Sequence, residues 1–429
     1  MDAIFVRAGC LLRQFACSCT ISQTIVLNPA VAMALDFQQV QKQVIQMGKT
    51  AALRERQLSQ KRELARKLLA QSDRDLKRLG EKVRRVAQEY DPGLRCALPV
   101  IEALDFCSPA PALPAQATIL AADGSQIAPD RHAEVNYCLI NVGAVQMRMG
   151  DSGAPEITID SQLFYDDELY SPSGTLTEGT LALMRDSSER EMLAKRAKNA
   201  LPPVISFTDG PMELWGAKDG AGAAEFKERL ETYKQALQQL SEMQVATAGY
   251  IDKPAANLVV RLLEISMISE QDLSEIKQIY PLRGVTDFSL YRRILGPGER
   301  SGVFAIQSQS AVNYAGELAL HFFYLNVGRE GKPWIARVEL PAWVVQDAGM
   351  LNNLHAALVD QSHIMGSRPY PYVLHRAHEA AVVTWQEKEQ VTQMIVLELR
   401  RRGVVVGEQS AKQAAKSLPG KTSYKGPRA

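Results

Sequence analysis

Apolar residues recur every three or four positions between residues 37 and 90, in a stretch otherwise rich in Gln, Lys, Arg and Glu. This spacing predicts helix with a single apolar stripe. The stripe is formed by Leu76, Leu79, Val83, Val86 and Tyr90. The tripeptide at 91–93 (Asp-Pro-Gly) predicts an abrupt end to the helical region, which we interpret as an arm for packing or dimerisation.

Short apolar runs predict strands after a proline-rich linker at 108–114. The first of these runs lie at 118–122, 135–142, 145–149 and 156–163. We expect them to form an antiparallel meander that opens a sheet, with a hairpin at Gly143-Ala144.

An alternation of helix and strand patterns follows the meander. Helices are expected at 175–200 and 225–243, and strands at 204–208 and 245–251. This alternation predicts a parallel part of the same sheet, so the expected fold class is α/β. Later strands are expected at 302–307, 321–327 and 334–340, and closing helices at 346–364 and 374–402.

The composition is that of an ordinary globular protein, with 46% hydrophobic residues, 23% charged residues and a net charge of +1. This balance excludes a global field that would attract a polyanion. Cys96, Cys107 and Cys138 lack the close spacing of a zinc site, and such scattered thiols favour a reducing, cytoplasmic environment. No apolar run approaches the roughly 20 residues that a membrane-spanning helix needs, so we expect no membrane association.

These patterns divide the chain into four parts. Residues 1–32 have few acids and short apolar patches, and we expect the native domain to open at Met33, with a signal or transit peptide as the alternative. Residues 33–95 form the helical arm, and residues 115–402 form the main domain. Residues 403–429 form a polar, basic tail that we expect to be disordered.

Two Asp-Gly dipeptides directly follow predicted strands. Asp123 follows the run at 118–122, and Asp209 follows the run at 204–208. The carboxyl ends of strands are where α/β sheets gather ligands, and carboxylates at that place suit Mg²⁺ or Mn²⁺. Asp-Gly is also a common turn signal, so the dipeptides alone leave both interpretations open.

A metal site built on two aspartates needs at least one further acid. The helix before Asp209 offers Glu189 and Glu191, which face different directions because they are two residues apart. Only one of them can reach the same metal ion, and a solvated helix face is the alternative for either.

The densest cluster of chemical groups lies at 368–379. His375 and His378 are one helical turn apart after Pro369 and Pro371. They lack the His-Glu-x-x-His pattern of a zinc protease, and a hydrogen-bonded core histidine is the alternative interpretation.

In these segments the sequence resembles the NurA nuclease family. The matching motifs occur in the family's order and lie at 122–125 (ADGS), 207–212 (FTDGPM), 249–254 (GYIDKP), Asp287, 295–301 (LGPGERS) and 368–378. Each motif is weak alone, whereas the ordered set over residues 118–400 is fairly specific.

The resemblance implies a role for individual residues. By this resemblance Asp123 and Asp209 bind the metal ion, with Glu189 as the preferred third ligand and Glu191 as the alternative. The late tyrosine and histidine of the family fall on Tyr370 and His378. Beside these, we expect DNA contacts from Lys253, Arg368 and Arg376.

The resemblance further implies a ribonuclease-H-like mixed sheet flanked by helices, typically in a homodimer. It implies a nuclease that uses Mn²⁺ or Mg²⁺ on DNA ends in double-strand break repair, as an exonuclease and also as an endonuclease on single strands. A HerA-like hexameric ATPase is the expected partner. The chain has no Gly-x-x-x-x-Gly-Lys-Ser/Thr phosphate loop, so ATP-driven movement of DNA would come from that partner.

Two other functions stay open from the sequence. A NurA-like fold could serve as an inactive structural or regulatory subunit of a translocase, which would not need all the acids. A different ribonuclease-H-like enzyme would cleave RNA or a particular DNA structure, and a comparison of single-stranded DNA, duplex DNA and RNA as substrates would reveal it.

Deletion of residues 410–429 tests whether the basic tail binds DNA. The tail carries Lys412, Lys416, Lys421, Lys425 and Arg428. We expect the deletion to lower DNA affinity and to flatten its salt dependence, because fewer phosphates are neutralised. Binding titrations over a range of salt concentrations measure both effects, and an unchanged salt slope would identify the tail as a solvated extension.

Overall fold

The computed structural model describes residues 35–406, apart from 72–74, 131, 152, 172–173 and 217–221. The chain divides into two compact units, Met1–Arg56 and Gln57–Ala429, and the main sheet lies in the second. The expectations for residues 1–32 and for residues 407–429 of the tail fall outside the described part of the chain.

The described residues form helices and strands with the following bounds. The α-helices are α1 (Phe37–Gln71), α2 (Leu76–Arg85), α3 (Glu178–Ala197), α4 (Ala223–Glu242), α5 (Leu258–Met267), α6 (Asp287–Tyr291), α7 (Ala342–Gln346), α8 (Ala348–Ile364), α9 (Tyr372–Ala381) and α10 (Trp385–Arg401). The strands are β1 (Cys96–Pro99), β2 (Cys107–Ser108), β3 (Ala117–Ile127), β4 (Cys138–Met149), β5 (Glu156–Phe164), β6 (Tyr170–Ser171), β7 (Gly174–Thr175), β8 (Val204–Asp209), β9 (Ala246–Asp252), β10 (Arg300–Ser301), β11 (Phe304–Gln307), β12 (Leu320–Asn326) and β13 (Ile335–Pro341). Within this part of the chain, no helix has the length and apolar character needed to cross a membrane.

The helical region predicted at 37–90 is present as α1, α2 and one wide turn at Val86–Tyr90. It ends before Asp91, as the Asp-Pro-Gly tripeptide predicts. Leu79, Val83 and Val86 of the predicted stripe are buried. α2 packs against α5 and β1, so its apolar stripe anchors it to the edge of the main sheet.

The main sheet has eleven strands among the described residues, and its path runs β1-β11-β12-β13-β9-β8-β3-β4-β5. β3, β4 and β5 pair in antiparallel fashion, while β8 and β9 continue from β3 in parallel. An antiparallel meander followed by two parallel strands, in the order β5-β4-β3-β8-β9, is the ribonuclease-H-like arrangement. The expected α/β fold, a mixed sheet flanked by helices, is therefore confirmed.

Helices cover both faces of β3 and β4. Side chains alternate along a strand, so Asp123 and its partner Gly143 on β4 point to one face and Gly124 points to the other. α9 lies on the first face, where a Cβ on Gly143 would stand 2.7 Å from the backbone nitrogen of Ala381. α3 lies on the second, where a Cβ on Gly124 would stand 2.5 Å from Cγ of Arg185.

Two expectations about these strands are wrong. β3 continues to Ile127, so Asp123 and Gly124 lie inside the strand rather than at its end. β4 runs unbroken through Gly143 and Ala144, where the sequence predicted a hairpin. The physical reason is common to both glycines, because each makes room for a packed helix instead of a turn.

The helix predicted at 374–402 is divided into α9 and α10. Thr384 caps α10: its hydroxyl accepts a hydrogen bond from the Glu387 N–H at 3.2 Å, and the Glu387 carboxylate accepts one from the Thr384 N–H at 2.7 Å. This capping box starts a new helix. The sequence Thr-Trp-Gln-Glu at 384–387 carries the signal, so the break was predictable.

Gly143→Ala tests the close packing of α9 on β4. The added methyl group meets backbone atoms, so we expect a loss of about 1–3 kcal/mol in the free energy of unfolding. Gly179→Ala in α3 is the matched control, because the nearest atom to its Cβ is Thr177 Oγ1 at 3.7 Å and alanine favours helix. Denaturant unfolding compares the two variants, and equal stability would contradict the packing described.

Candidate active site

Asp123 and His378 join the sheet to α9. Oδ2 of Asp123 lies 2.7 Å from Nδ1 of His378. The Ser125 hydroxyl and the Asn141 side-chain amide both donate to the Ala381 carbonyl, at 2.6 and 2.8 Å. These two bonds hold the last turn of α9 on the strands, so His378 stands beside Asp123 although 61% of its side chain is exposed.

Glu189 of α3 reaches the sheet at Gly124. Its side chain is buried, and Oε1 lies 2.9 Å from the place where a Cβ on Gly124 would stand. One turn earlier, Nε of Arg185 is 3.5 Å from that same oxygen, and Nη2 of Arg185 is 2.7 Å from Oδ1 of Asp186. Because residue 124 has no side chain, these groups of α3 come directly against the strand that carries Asp123.

Asp209 is the last residue of β8, and its carboxylate accepts a hydrogen bond from the Tyr370 hydroxyl. The Tyr370 ring packs edge-on against Tyr250, with ring centroids 5.6 Å apart. Gly210 follows with φ at +88°, a conformation that glycine adopts without strain. Its carbonyl would stand 2.5 Å from a Cβ on Gly249, so both glycines are needed for the chain to leave the sheet directly after Asp209.

The carboxylates of Asp123, Glu189 and Asp209 line a single cleft of about 390 Å³, together with His378. The cleft lies where β3, β8, α3 and α9 meet. Tyr370 does not itself line the cleft and is joined to it by its hydrogen bond to Asp209. Of the five residues that the resemblance implies are catalytic, four thus line one cleft and the fifth, Tyr370, contacts one of those four.

Burial and mutual repulsion govern the charges in the cleft. Burial raises the pKa of the Glu189 carboxyl well above its usual range, and the negative charges of Asp186 and Asp123 raise it further. Asp209 is exposed as a residue, yet neighbouring protein atoms desolvate its carboxylate and raise its pKa; the Tyr370 hydrogen bond opposes this and the charge of Asp123 adds to it. These acids therefore favour an added positive charge.

Glu191 faces a different cleft, of about 170 Å³, which Asp160 and Lys195 also line. A two-residue step on a helix turns the side chain away from Glu189, as helical geometry requires. Of the two alternative glutamates, the one that lies with Asp123 is therefore Glu189.

The three basic residues expected at DNA do not line the cleft of the carboxylates. Nζ of Lys253 lies 3.9 Å from the ring centroid of Trp334. Arg376 forms an ion pair with Glu379, and Arg368 is exposed between α8 and α9. A contact between any of them and DNA would lie outside the cleft itself.

The cleft also contains residues that the sequence did not single out as functional, among them Asp186, Arg190 and Trp215. Asp186 is three residues before Glu189, and this helical spacing was a usable signal. Arg190 is buried and donates to the hydroxyls of Tyr233 and Thr247 at 3.2 Å. Its burial was not predictable from the sequence, because a helical arginine is usually solvated.

The chemistry of the donor set fits a hard divalent cation. Mg²⁺ and Mn²⁺ take oxygen ligands, chiefly carboxylates, and the cleft offers those of Asp123, Glu189 and Asp209. Among the described residues, no three His, Cys, Asp or Glu side chains already converge to hold a metal ion. The three carboxylates thus share the cleft without meeting at one point.

Comparisons with known proteins give one family. The model of the NurA domain matches residues 117–383. The NurA nuclease of Sulfolobus solfataricus is 10% identical, with 85% of this chain and 98% of that chain covered and a TM-score of 0.48. The catalytic domain of human endonuclease V is 13% identical, with 65% and 84% covered and a TM-score of 0.29. No curated protein matches the sequence.

The matched region begins with β3 and ends just after α9, so it spans well over half of the chain. It contains every element that contributes a carboxylate to the cleft, as well as Tyr370 and His378. The motifs recognised in the sequence all lie within the same region. The chain belongs to the NurA family of nucleases.

Proposed function

We propose that this chain is a divalent-metal-dependent DNA nuclease. The observation that carries the proposal is the cleft in which the carboxylates of Asp123, Glu189 and Asp209 lie together. Burial and repulsion raise the pKa of Glu189 and Asp209, which makes their ionised forms costly in the folded chain. Perturbed acids in a cleft are characteristic of functional sites, and a bound cation would offset their repulsion.

Phosphodiester hydrolysis needs an activated water and stabilisation of negative charge on the phosphate. Mg²⁺ or Mn²⁺, when bound, supplies Lewis acidity for both. Asp123, Glu189 and Asp209 are the residues that would hold the ion. Tyr370 keeps its proton, because burial and the charge of Asp209 raise the pKa of its hydroxyl, and it fixes the direction of the Asp209 carboxylate by donating to it.

His378 acts beside these ligands. Its contact with Asp123 holds the imidazole through Nδ1, and the other ring nitrogen can then bind a water molecule or a phosphate oxygen. This is the arrangement in which a histidine orients or deprotonates an attacking water.

DNA ends in double-strand break repair are the proposed substrate, cut as an exonuclease and, on single strands, as an endonuclease. We further propose that the chain works as a homodimer with a HerA-like hexameric ATPase. Membership of the NurA family supports both points. The lack of a phosphate loop in this sequence is consistent with a separate motor subunit.

Asp123→Ala tests the central ligand. We expect cleavage of defined DNA ends to need Mn²⁺ or Mg²⁺, to stop in chelator, and to fall by about 100-fold or more in the variant, because several kcal/mol of charge stabilisation are lost. Circular dichroism verifies the fold. Metal-dependent cleavage that persists unchanged in a clean preparation of the variant would overturn the assignment, and an inactive wild type would favour a structural subunit.

Glu189→Gln and Glu191→Gln form a matched pair on one helix. The first removes an ionisable ligand from the cleft, and we expect about a 10- to 100-fold loss of cleavage rate without a lower melting temperature, because burial and repulsion already disfavour the ionised form of Glu189. The second lies at another cleft and should stay within about twofold of wild type. Cleavage rates and melting curves of the two variants are measured side by side. Equal losses of cleavage rate in both variants would contradict the placement of Glu189 and Glu191 in different clefts.

A further inference from the structure

Trp215 is a large aromatic residue that stays exposed at the cleft of the carboxylates. It follows Asp209 by six positions and is 53% accessible to solvent. The same cleft is lined by Trp215, Asp123 and Asp209. Single exposed apolar residues are common and need no explanation. What distinguishes this one is the support that holds it in place.

An ion pair between the half-buried Arg95 and the buried Glu213 supports the indole ring. The Arg95 guanidinium lies 4.7 Å from the ring centroid, in cation–π geometry. Arg95 is itself bound to Glu213, whose side chain has no exposed surface. Oε1 of Glu213 also accepts hydrogen bonds from the hydroxyls of Ser308 and Ser310, at 2.7 and 2.5 Å. The cation over the ring is therefore fixed by a fully bonded carboxylate.

The backbone on either side of the ring is fixed as well. The Met212 N–H donates to Oε2 of Glu339, and the Leu214 N–H donates to the Tyr314 hydroxyl, both at 2.8 Å. A Cβ on Gly216 would stand 2.3 Å from the ring of Phe226, so this part of the chain lies tightly against α4. The segment between Asp209 and Gly216 thus presents its tryptophan in a preorganised position.

We propose that Trp215 is the stacking platform on which an unpaired base of the cleaved DNA strand rests. This inference depends on the proposed nuclease function and adds a subsite to it. A base inside a duplex already stacks on both faces, so the exposed ring would take a nucleotide from a single strand or from a frayed end. Every base has a π-face, and the subsite therefore carries no strong sequence preference.

Arg95 is not available to bind a DNA phosphate at this subsite. Glu213 neutralises the guanidinium, so the pair contributes ring support rather than a free cation for phosphate. Stacking releases no counterions, whereas a phosphate contact does. Loss of the ring should therefore weaken binding equally at every salt concentration.

Trp215→Ala tests the platform through binding rather than cleavage. The full-length chain is titrated with fluorescently labelled oligo(dT) in chelator, and the dissociation constant is measured over a range of salt concentrations. We expect binding about 5- to 150-fold weaker than wild type with an unchanged salt slope, because base–aromatic stacking has that value in alanine substitutions. Affinity for a blunt duplex should change much less.

Two variants serve as controls. Trp215→Phe keeps a π-face and should bind oligo(dT) nearly as well as wild type. Trp385→Ala removes a tryptophan that is 73% exposed on α10 and does not line the cleft, and it should bind as wild type does. Melting temperatures verify that each variant is folded.

Each other outcome overturns the stacking assignment. It would be overturned if Trp215→Ala bound with wild-type affinity, or if Trp215→Phe lost as much affinity as Trp215→Ala. It would also be overturned by an altered salt slope or by an equal loss of affinity for blunt duplex. If DNA binding were unchanged, the exposed ring would instead be assigned to contact with a protein partner. The readout is separate from the nuclease proposal: an inactive wild type with the expected binding pattern removes only the nuclease, whereas normal cleavage with unchanged binding removes only the platform.

Discussion

The backbones of β3 and β4 carry glycines at two places where a helix packs directly against the sheet. Gly124 admits α3 on one face and Gly143 admits α9 on the other, at distances where a methyl group would collide with protein atoms. Gly124 follows Asp123 in β3, and Gly143 pairs with Asp123 in β4. A glutamate and a histidine therefore approach that aspartate from opposite faces of the sheet. The site depends on this double close approach, since longer side chains in the strands would separate its members.

The close packing of α3 and α9 on the sheet also determines which charges lie near one another in the cleft. Acids from a strand, a helix and a strand end share a cleft in which Arg185 partly balances Glu189 and the Tyr370 hydroxyl satisfies Asp209. Packing holds them close, although burial and repulsion disfavour the ionised forms of Glu189 and Asp209. Natural proteins accept such conflicts between stability and local charge chiefly where function requires them. Trp215 is likewise an exposed ring held by a bonded network, in which the buried Glu213 fixes Arg95 beside the indole.

Much of the fold was predictable because strand and helix periodicity are local properties. The helical spacing also separated Glu189 from Glu191 in direction, although only the structure assigns each to a cleft. The function of Gly143 was not predictable, because a glycine between apolar runs has the same sequence pattern in a hairpin and under a packed helix. The exposure of Trp215 and the burial of Arg190 depend on tertiary contacts, which one sequence does not display.

The most direct test of a carboxylate-held cation is Mn²⁺ binding itself, measured by electron paramagnetic resonance on the full-length chain without DNA. Wild type should bind Mn²⁺ saturably, and Asp209→Asn should bind it at least about tenfold more weakly, because one anionic ligand is lost. The Glu191→Gln variant should match wild type. Equal Mn²⁺ affinity in wild type and Asp209→Asn, or no saturable binding in wild type, would contradict the account.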